Sequence, residues 1–319
     1  MENNQQTQEI EIASDGSQNP PAKHNPASTE IDSISNGESA TEEITNPMIP
    51  FREAKISVAV DTSGSTYGTG LKAEKAAIRE IFSLLPPTIK SSTKILPWSD
   101  RLKKIVGIDQ LDSLSSNGGT DPNVLLSNDA SRYELQNCSF WFLMTDGEIF
   151  DHEVHKFAKS LLEYGLHGLA CVVSVFGDRR QLPAKCNISV GLSVFAVSPH
   201  CLFLYTDERT SETFILQTKG IFSALLPEGT EPPTLLTQTR WEDLPQTSYE
   251  DFSRIQIPPS QTVSKNDVIL SDNTRINISE LLEKTSLTIM GQRIRTLNPL
   301  NTIQKLSEYR HKKNTESVH

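Results

Sequence analysis

Five residues with oxygen-bearing side chains stand where they could bind a hard metal ion together. Asp61, Ser63 and Ser65 alternate along one loop, so their side chains point the same way if the loop is extended. Thr120 stands just before a predicted helix start, and Asp146 follows a strongly apolar stretch. Mg²⁺ prefers about six oxygen ligands at ~2.1 Å and keeps several waters. Because the set holds two carboxylates and no nitrogen or sulfur, it predicts Mg²⁺ or Mn²⁺ rather than zinc.

The surrounding sequence alternates between strand patterns and helix patterns. Short apolar, β-branched stretches predict strands at 55–60, 93–98, 103–108, 139–144, 169–176, 192–197, 201–205 and 213–217. Apolar residues at helical spacing predict helices at 71–85, at 121–126, and from 151 to a stop at Gly165. This alternation favours a doubly wound α/β domain, a mostly parallel sheet flanked by helices as in Rossmann-like folds. Ligands of such sheets bind at the carboxyl ends of the strands, where Asp61 and Asp146 stand.

Three segments of the chain together resemble a known metal site. The run Asp61-Thr-Ser-Gly-Ser, then Thr120, then Thr145-Asp146-Gly147, is similar to the metal-ion-dependent adhesion site of von Willebrand factor A domains. The resemblance covers roughly residues 55–176 and extends in part to 222. It implies that the three hydroxyl residues ligate the metal and that the two acids bind it directly or through water. It also implies a binding module whose protein partner completes the metal shell with an Asp or Glu side chain.

Other roles for these residues are weaker but open. Asp61 alone could cap the following helix, as acids at strand ends often do, whereas Thr120 and Asp146 favour the metal site. An enzyme is not favoured: a haloacid-type phosphotransferase needs a second acid where Ser63 stands, and the P-loop and G-x-S-x-G patterns are missing. The alternatives are an adaptor subunit of a larger assembly that binds through other surfaces, and a metal-dependent phosphohydrolase.

The two ends of the chain differ from its middle in composition. Residues 1–50 contain nine acids, one lysine and no aromatic residue, and so carry most of the net charge of −10. Such a segment cannot bury enough apolar surface to fold, so we predict that it is a disordered acidic tail. We assign residues 51–225 to the α/β domain. Residues 226–319 form a polar, partly helical C-terminal region, with helical patterns at 278–284 and 302–309.

Charge, cysteines and hydropathy restrict the partners. Residues 51–319 are nearly neutral, so no basic surface predicts binding to nucleic acid. The four separated cysteines, and the lack of any signal peptide pattern or apolar span of ~18 residues, predict a cytoplasmic or nuclear protein away from the membrane. The expected function is capture of a partner protein, with Tyr67, Ile149 and Phe150 providing apolar contact around the metal.

Overall fold

The computed structural model describes residues 48–230, 239–258, 267–269 and 275–277 of the chain. The predictions for residues 1–47 and for the helical patterns at 278–284 and 302–309 lie outside the described residues. Within the described part, no helix has both the length and the apolar character that a membrane span requires.

A seven-stranded sheet forms the centre of the described chain. The described residues form this sheet and two short strand pairs. Their strands are β1 (Ile49–Pro50), β2 (Ile56–Asp61), β3 (Lys94–Trp98), β4 (Phe140–Thr145), β5 (Ala170–Gly177), β6 (Cys201–Asp207), β7 (Thr213–Lys219), β8 (Gln246–Thr247), β9 (Gln256–Ile257), β10 (Asp267–Ile269) and β11 (Arg275–Asn277). The sheet order is β3-β2-β4-β5-β6-β7-β8, while β1 pairs with β9 and β10 with β11. In this order, neighbouring strands from β3 to β6 pair in parallel. Strand β7 pairs antiparallel with β6, and β8 pairs antiparallel with β7. The expected α/β fold is therefore confirmed.

Helices cover both faces of this sheet. They are α1 (Thr69–Ser83), α2 (Pro87–Ser92), α3 (Val124–Ser127), α4 (Asp129–Gln136), α5 (Asp151–Glu163) and α6 (Ser189–Val197). Every residue of β2, β4, β6 and β7 is buried, and burial on both faces explains why β2 and β4 are nearly continuous apolar stretches. Gly165 follows α5 in the left-handed conformation with a φ of 70°, which confirms the predicted stop of that helix.

Each face of the sheet carries its own hydrophobic core. On one face, α1 packs with the segments around Phe51 and Phe252, whose rings contact the Phe140 ring in T-shaped arrangements, with centroids 5.6 and 6.5 Å apart. On the other face, α5 and α6 cover Trp141, whose ring meets Phe157 at 6.4 Å. The sheet between the two cores is a rigid support for the loops at its carboxyl edge.

Two predicted strands do not form within the described residues. Residues 192–197 belong to helix α6, which packs on α5 and β6. An apolar stretch of this length fits a buried helix as well as a buried strand, so periodicity alone could not separate the two. Residues 103–108 make one isolated antiparallel bridge, Val106 with Ile95, before a 3₁₀ turn begins at Ile108. The helix predicted at 121–126 begins later, at Val124.

Residues 239–258 pack on the α/β domain rather than apart from it. Trp241 lies against Tyr205 with 4.6 Å between ring centroids, and its indole N–H donates to the Gln181 carbonyl at 2.6 Å. Tyr249 and Phe252 are buried in the core beside α1. This part of the predicted C-terminal region therefore contributes apolar contacts to both faces of the sheet.

Candidate metal centre

Asp61 ends β2 at the carboxyl edge of the sheet and is fully buried. One carboxylate oxygen accepts the Ser63 backbone N–H at 2.8 Å. The other accepts the Thr145 hydroxyl at 2.7 Å, which connects the end of β2 to the end of the neighbouring strand β4. Both oxygens are held in fixed directions, so Asp61 is pre-organised at the point where the two strands end.

The loop after β2 brings the two predicted serine ligands together. The Ser63 and Ser65 hydroxyl oxygens lie 2.9 Å apart. Ser63 is buried and Ser65 is exposed, so the pair leads from the interior to the surface. The Thr66 hydroxyl donates to the Ser63 carbonyl at 2.9 Å and so closes the loop before α1 begins. The loop consists of bends and turns over residues 63–68 rather than the extended segment that the alternation assumed, and it still brings the Ser63 and Ser65 hydroxyls together.

The loop that carries Thr120 lies directly against this first loop. The Gly64 N–H donates to the Gly118 carbonyl at 2.9 Å, and the Asn117 N–H donates to the Thr62 carbonyl at 2.8 Å. Gly118 has a φ of 86°, and a Cβ there would come within 2.6 Å of an Asp100 carboxylate oxygen. The positive φ and the Asp100 side chain therefore favour glycine at this turn. Thr120 itself is half-buried, two residues beyond this contact.

Lys103 links these two loops through hydrogen bonds to their backbone. The Lys103 ammonium donates to the carbonyl oxygens of Thr62 and Ser115, both at 2.9 Å. Burial lowers the pKa of Lys103, and the negative charge of Asp61 opposes that shift. Lys103 is thus a basic neighbour of Asp61 whose hydrogen bonds go to backbone carbonyls, and no ion pair joins the two among the described residues.

The loop after β4 supplies the second acid. Asp146 is half-buried, and one of its oxygens accepts the Glu148 N–H at 3.0 Å. The Thr145 hydroxyl, which donates to Asp61, also accepts the Gly147 N–H at 3.0 Å. Gly147 has a φ of 79°, and a Cβ at this position would stand 1.8 Å from the Asn187 carbonyl oxygen. The turn that orients Asp146 therefore depends on a glycine.

The electrostatics of the site show an excess of negative charge. Burial, and next the charge of Asp146, raise the pKa of Asp61 to about 7 from its ordinary value of 3.8. Burial, and then the charges of Asp61 and Asp146, raise the pKa of Glu74 well above its usual range. Of the described residues, no base forms an ion pair with any of these three acids. A cation at this edge would favour the ionised carboxylates.

The donor chemistry fits a hard divalent cation. The five predicted residues offer only oxygen, and both oxygens of the nearby buried Glu74 have no hydrogen-bond partner among the described residues. No group of three or more His, Cys, Asp and Glu side chains in the described ranges could hold a metal by itself. The arrangement therefore depends on hydroxyl ligands, a set that suits Mg²⁺ or Mn²⁺ more than zinc.

An open cavity of about 360 Å³ lies beside the site. Ser65 and Asp146 form part of its wall, together with Tyr67 and Glu148. The Asn187 amide donates to the Glu148 carboxylate at 2.5 Å across the same cavity. Solvent and a partner's side chain can therefore reach the exposed end of the predicted ligand set.

Two residues of the site, Lys103 and Glu74, and one hydrogen bond of Thr145 were not predicted from the sequence. Thr145 was recognised as part of a motif, but its bond to Asp61 depends on the pairing of β2 with β4. Lys103 lies in a predicted strand that does not form. No pattern in the neighbouring sequence indicated that it would donate to the backbone of the loop after β2. Glu74 did have a signal, since it interrupts the apolar face of α1 between Leu71 and Ala77.

Comparison with known proteins adds little about function. No family model matches the chain. A protein of Acanthamoeba polyphaga mimivirus, described as uncharacterized, is 25% identical over 225 residues. The match covers 65% of this chain and 35% of the viral protein, so the chain spans about a third of its relative's length. The chain is therefore similar to part of a larger viral protein.

Proposed function

We propose that the chain is a protein-binding module of the von Willebrand factor A type, with a Mg²⁺ or Mn²⁺ site that captures an acidic side chain of a partner protein. The observation that carries the proposal is the meeting of three loops at one edge of the sheet. They bring Asp61, Ser63 and Ser65 next to the Thr145-Asp146 turn and the loop of Thr120. This is the arrangement that the resemblance in sequence requires.

The ligand set explains why an incoming carboxylate would be attracted. Two carboxylates balance a divalent charge, and the neutral hydroxyls of Ser63, Ser65 and Thr120 add little further negative charge. A cation held in this way remains electrophilic and, with about six ligands in total, has room for an outside oxygen. An Asp or Glu of the partner would gain a charge-assisted bond to the metal.

Exposed aromatic residues beside the site support a protein ligand. Tyr67, in the loop after β2, and Phe150, just before α5, are 82% and 75% exposed. Aromatic residues are enriched at protein interfaces because they bury a large apolar area with few rotatable bonds. Ile149 is half-buried beside Phe150 and packs against the core, so it contributes less surface. We expect Tyr67 and Phe150 to cover the desolvated carboxylate.

The proposed setting is the cytoplasm or the nucleus. All four cysteines are free thiols, and Cys138, Cys171 and Cys201 are buried. Reducing compartments keep such thiols unpaired. Neither nucleic acid nor a membrane is part of the proposed interaction.

Chelation combined with a single hydroxyl deletion tests the proposed function. We expect EDTA, and separately Thr120→Ala, to abolish partner capture from lysate, while the melting temperature without metal changes little. Thr88→Ala removes a hydroxyl from an exposed residue of α2 and should capture the partner normally. Capture that survives both EDTA and Thr120→Ala would place the interface elsewhere and favour an adaptor that binds through other surfaces.

A further inference from the structure

Glu74 is a buried acid that no part of the expected ligand set explains. It lies on the inward face of α1 and has no solvent exposure. Neither carboxylate oxygen has a hydrogen-bond partner among the described residues. Burying a carboxylate without a partner costs several kcal/mol, on the order of the whole stability of a small domain. An acid in such a position either takes up a proton or is balanced by a nearby cation.

The groups around Glu74 identify where compensation could come from. Helix α1 packs across β2, β4 and β5, beneath the edge where Asp61 and Asp146 stand. These two acids are the charged neighbours that raise the pKa of Glu74 beyond the effect of burial. On the same face, the buried hydroxyl of Tyr249 is a further neighbour of Glu74. Two acids and a hydroxyl therefore lie around Glu74, and none of the described bases forms an ion pair with it.

We propose that Glu74 is a positioning residue of the metal centre, a third carboxylate whose charge lies beneath Asp61 and Asp146 and strengthens cation binding. The inference rests on the proposed function, because it requires a cation at that site. Glu74 is not itself a ligand, since the described residues contain no group of three acids, histidines or cysteines able to hold a metal together. Its effect is exerted through the two acids above it.

Glu74 could have either of two roles, and its burial alone does not distinguish them. A glutamate with only a packing role would stabilise the fold and leave metal affinity unchanged. A positioning carboxylate would act in the opposite way, because without metal it is a buried acid that no partner stabilises, and only a nearby cation favours its ionised form. Groups behind metal ligands typically change affinity by about 10- to 100-fold when they are replaced.

Calorimetric titration of the full chain with MnCl₂, combined with thermal melting without metal, tests this role. For Glu74→Gln we expect a dissociation constant for Mn²⁺ about 10- to 100-fold higher than that of the wild type. The melting temperature without metal should stay the same or rise. Glu74→Met removes the charge in an apolar side chain of similar length and should show the same weaker binding. Glu74→Asp retains the charge and should restore most of the affinity.

Glu80→Gln is the matched control, because it removes an exposed acid from the same helix. Its affinity for Mn²⁺ should equal that of the wild type. Equal affinities for the wild type, Glu74→Gln and Glu74→Met would overturn the inference and leave the proposed function intact. If the wild type binds no Mn²⁺, the proposed function fails and the inference fails with it.

Discussion

Two groups of acids lie at the carboxyl edge of the same sheet, but their charges are balanced differently. At the ends of β5 and β6, Asp178 pairs with Arg180 at 2.8 Å and with Arg209 at 3.1 Å. Asp207 pairs with Arg179 at 3.0 Å. We call these five residues the arginine-paired edge. Each of its two acids already has a basic partner, so this part of the sheet has no need of a metal ion.

At the ends of β2 and β4 the acids have no such partners. Asp61, Asp146 and the underlying Glu74, which we call the unpaired edge, make no ion pair among the described residues. Asp61 is instead held by a hydroxyl and a backbone N–H. The two edges lie on different strands of the same sheet. The difference indicates that an acid at a strand end points to a metal only where no basic side chain forms an ion pair with it.

The largest expected effect separates the two edges by metal affinity. Asp61→Asn keeps the shape of the side chain but removes a ligand charge, so we expect the affinity for Mg²⁺ and Mn²⁺ to fall about 100-fold or more. Asp178→Asn removes the same charge from the arginine-paired edge and should change affinity by about threefold or less, because that charge is neutralised locally. Titration calorimetry of both variants measures this contrast, and equal losses would contradict the comparison.

The next effect concerns the backbone that shapes the unpaired edge. Gly147→Ala places a Cβ 1.8 Å from the Asn187 carbonyl oxygen and forces a residue with a side chain into a φ of 79°. We expect the free energy of unfolding to fall by about 3 kcal/mol or more, with metal binding weakened as the Asp146 turn moves. Urea denaturation followed by metal titration measures both quantities.

Gly165→Ala is the control for backbone strain alone. Gly165 has a φ of 70°, but a Cβ there would meet no atom within 4 Å. Gly165→Ala should lower the free energy of unfolding by only about 1–2 kcal/mol and leave the metal affinity unchanged. If the two variants lose equal stability, the contact between the Asp146 turn and Asn187 is not a constraint on the site.

The residues of the candidate metal centre were predictable to different degrees, for physical reasons. Asp61, Ser63, Ser65 and Asp146 were recognisable because an apolar strand followed by an acid places that acid at a sheet edge whatever the rest of the chain does. The sequence also indicated the α/β fold, since burial on both faces makes parallel strands continuously apolar.

Other features depend on contacts between distant segments and had no local signal. The Lys103 ammonium binds carbonyls of two loops that only meet after folding. The misassigned stretch at 192–197 is apolar all round, so its helical state is decided by packing against α5 and β6. The basic partners of Asp178 and Asp207 were likewise invisible, although Arg179 and Arg180 stand directly after Asp178 in the sequence.

The smallest effect is a dependence of stability on pH that belongs to the unpaired edge. The pKa of Asp61 is about 7 in the folded chain without metal and near its ordinary value of 3.8 once unfolded. Between these values the folded state binds more protons at Asp61, so the contribution of this residue to stability is fully present below pH 3.8 and is lost as the pH rises through 7. Since one pKa unit corresponds to about 1.4 kcal/mol, Asp61 should make the metal-free protein roughly 2–3 kcal/mol less stable at pH 7.5 than at pH 5.

Urea denaturation at pH 5 and pH 7.5, in the presence of EDTA, measures this difference. Asp61→Asn should show a smaller loss of stability between the two pH values, with a remainder of the same sign from Glu74, whose pKa is also raised by burial. Saturating Mg²⁺ should reduce the loss in the wild type, because the cation stabilises the ionised carboxylate that protons otherwise neutralise. If the wild type and Asp61→Asn lose equal stability, the charge of Asp61 is already balanced, and the contrast between the two edges is smaller than the ion pairs suggest.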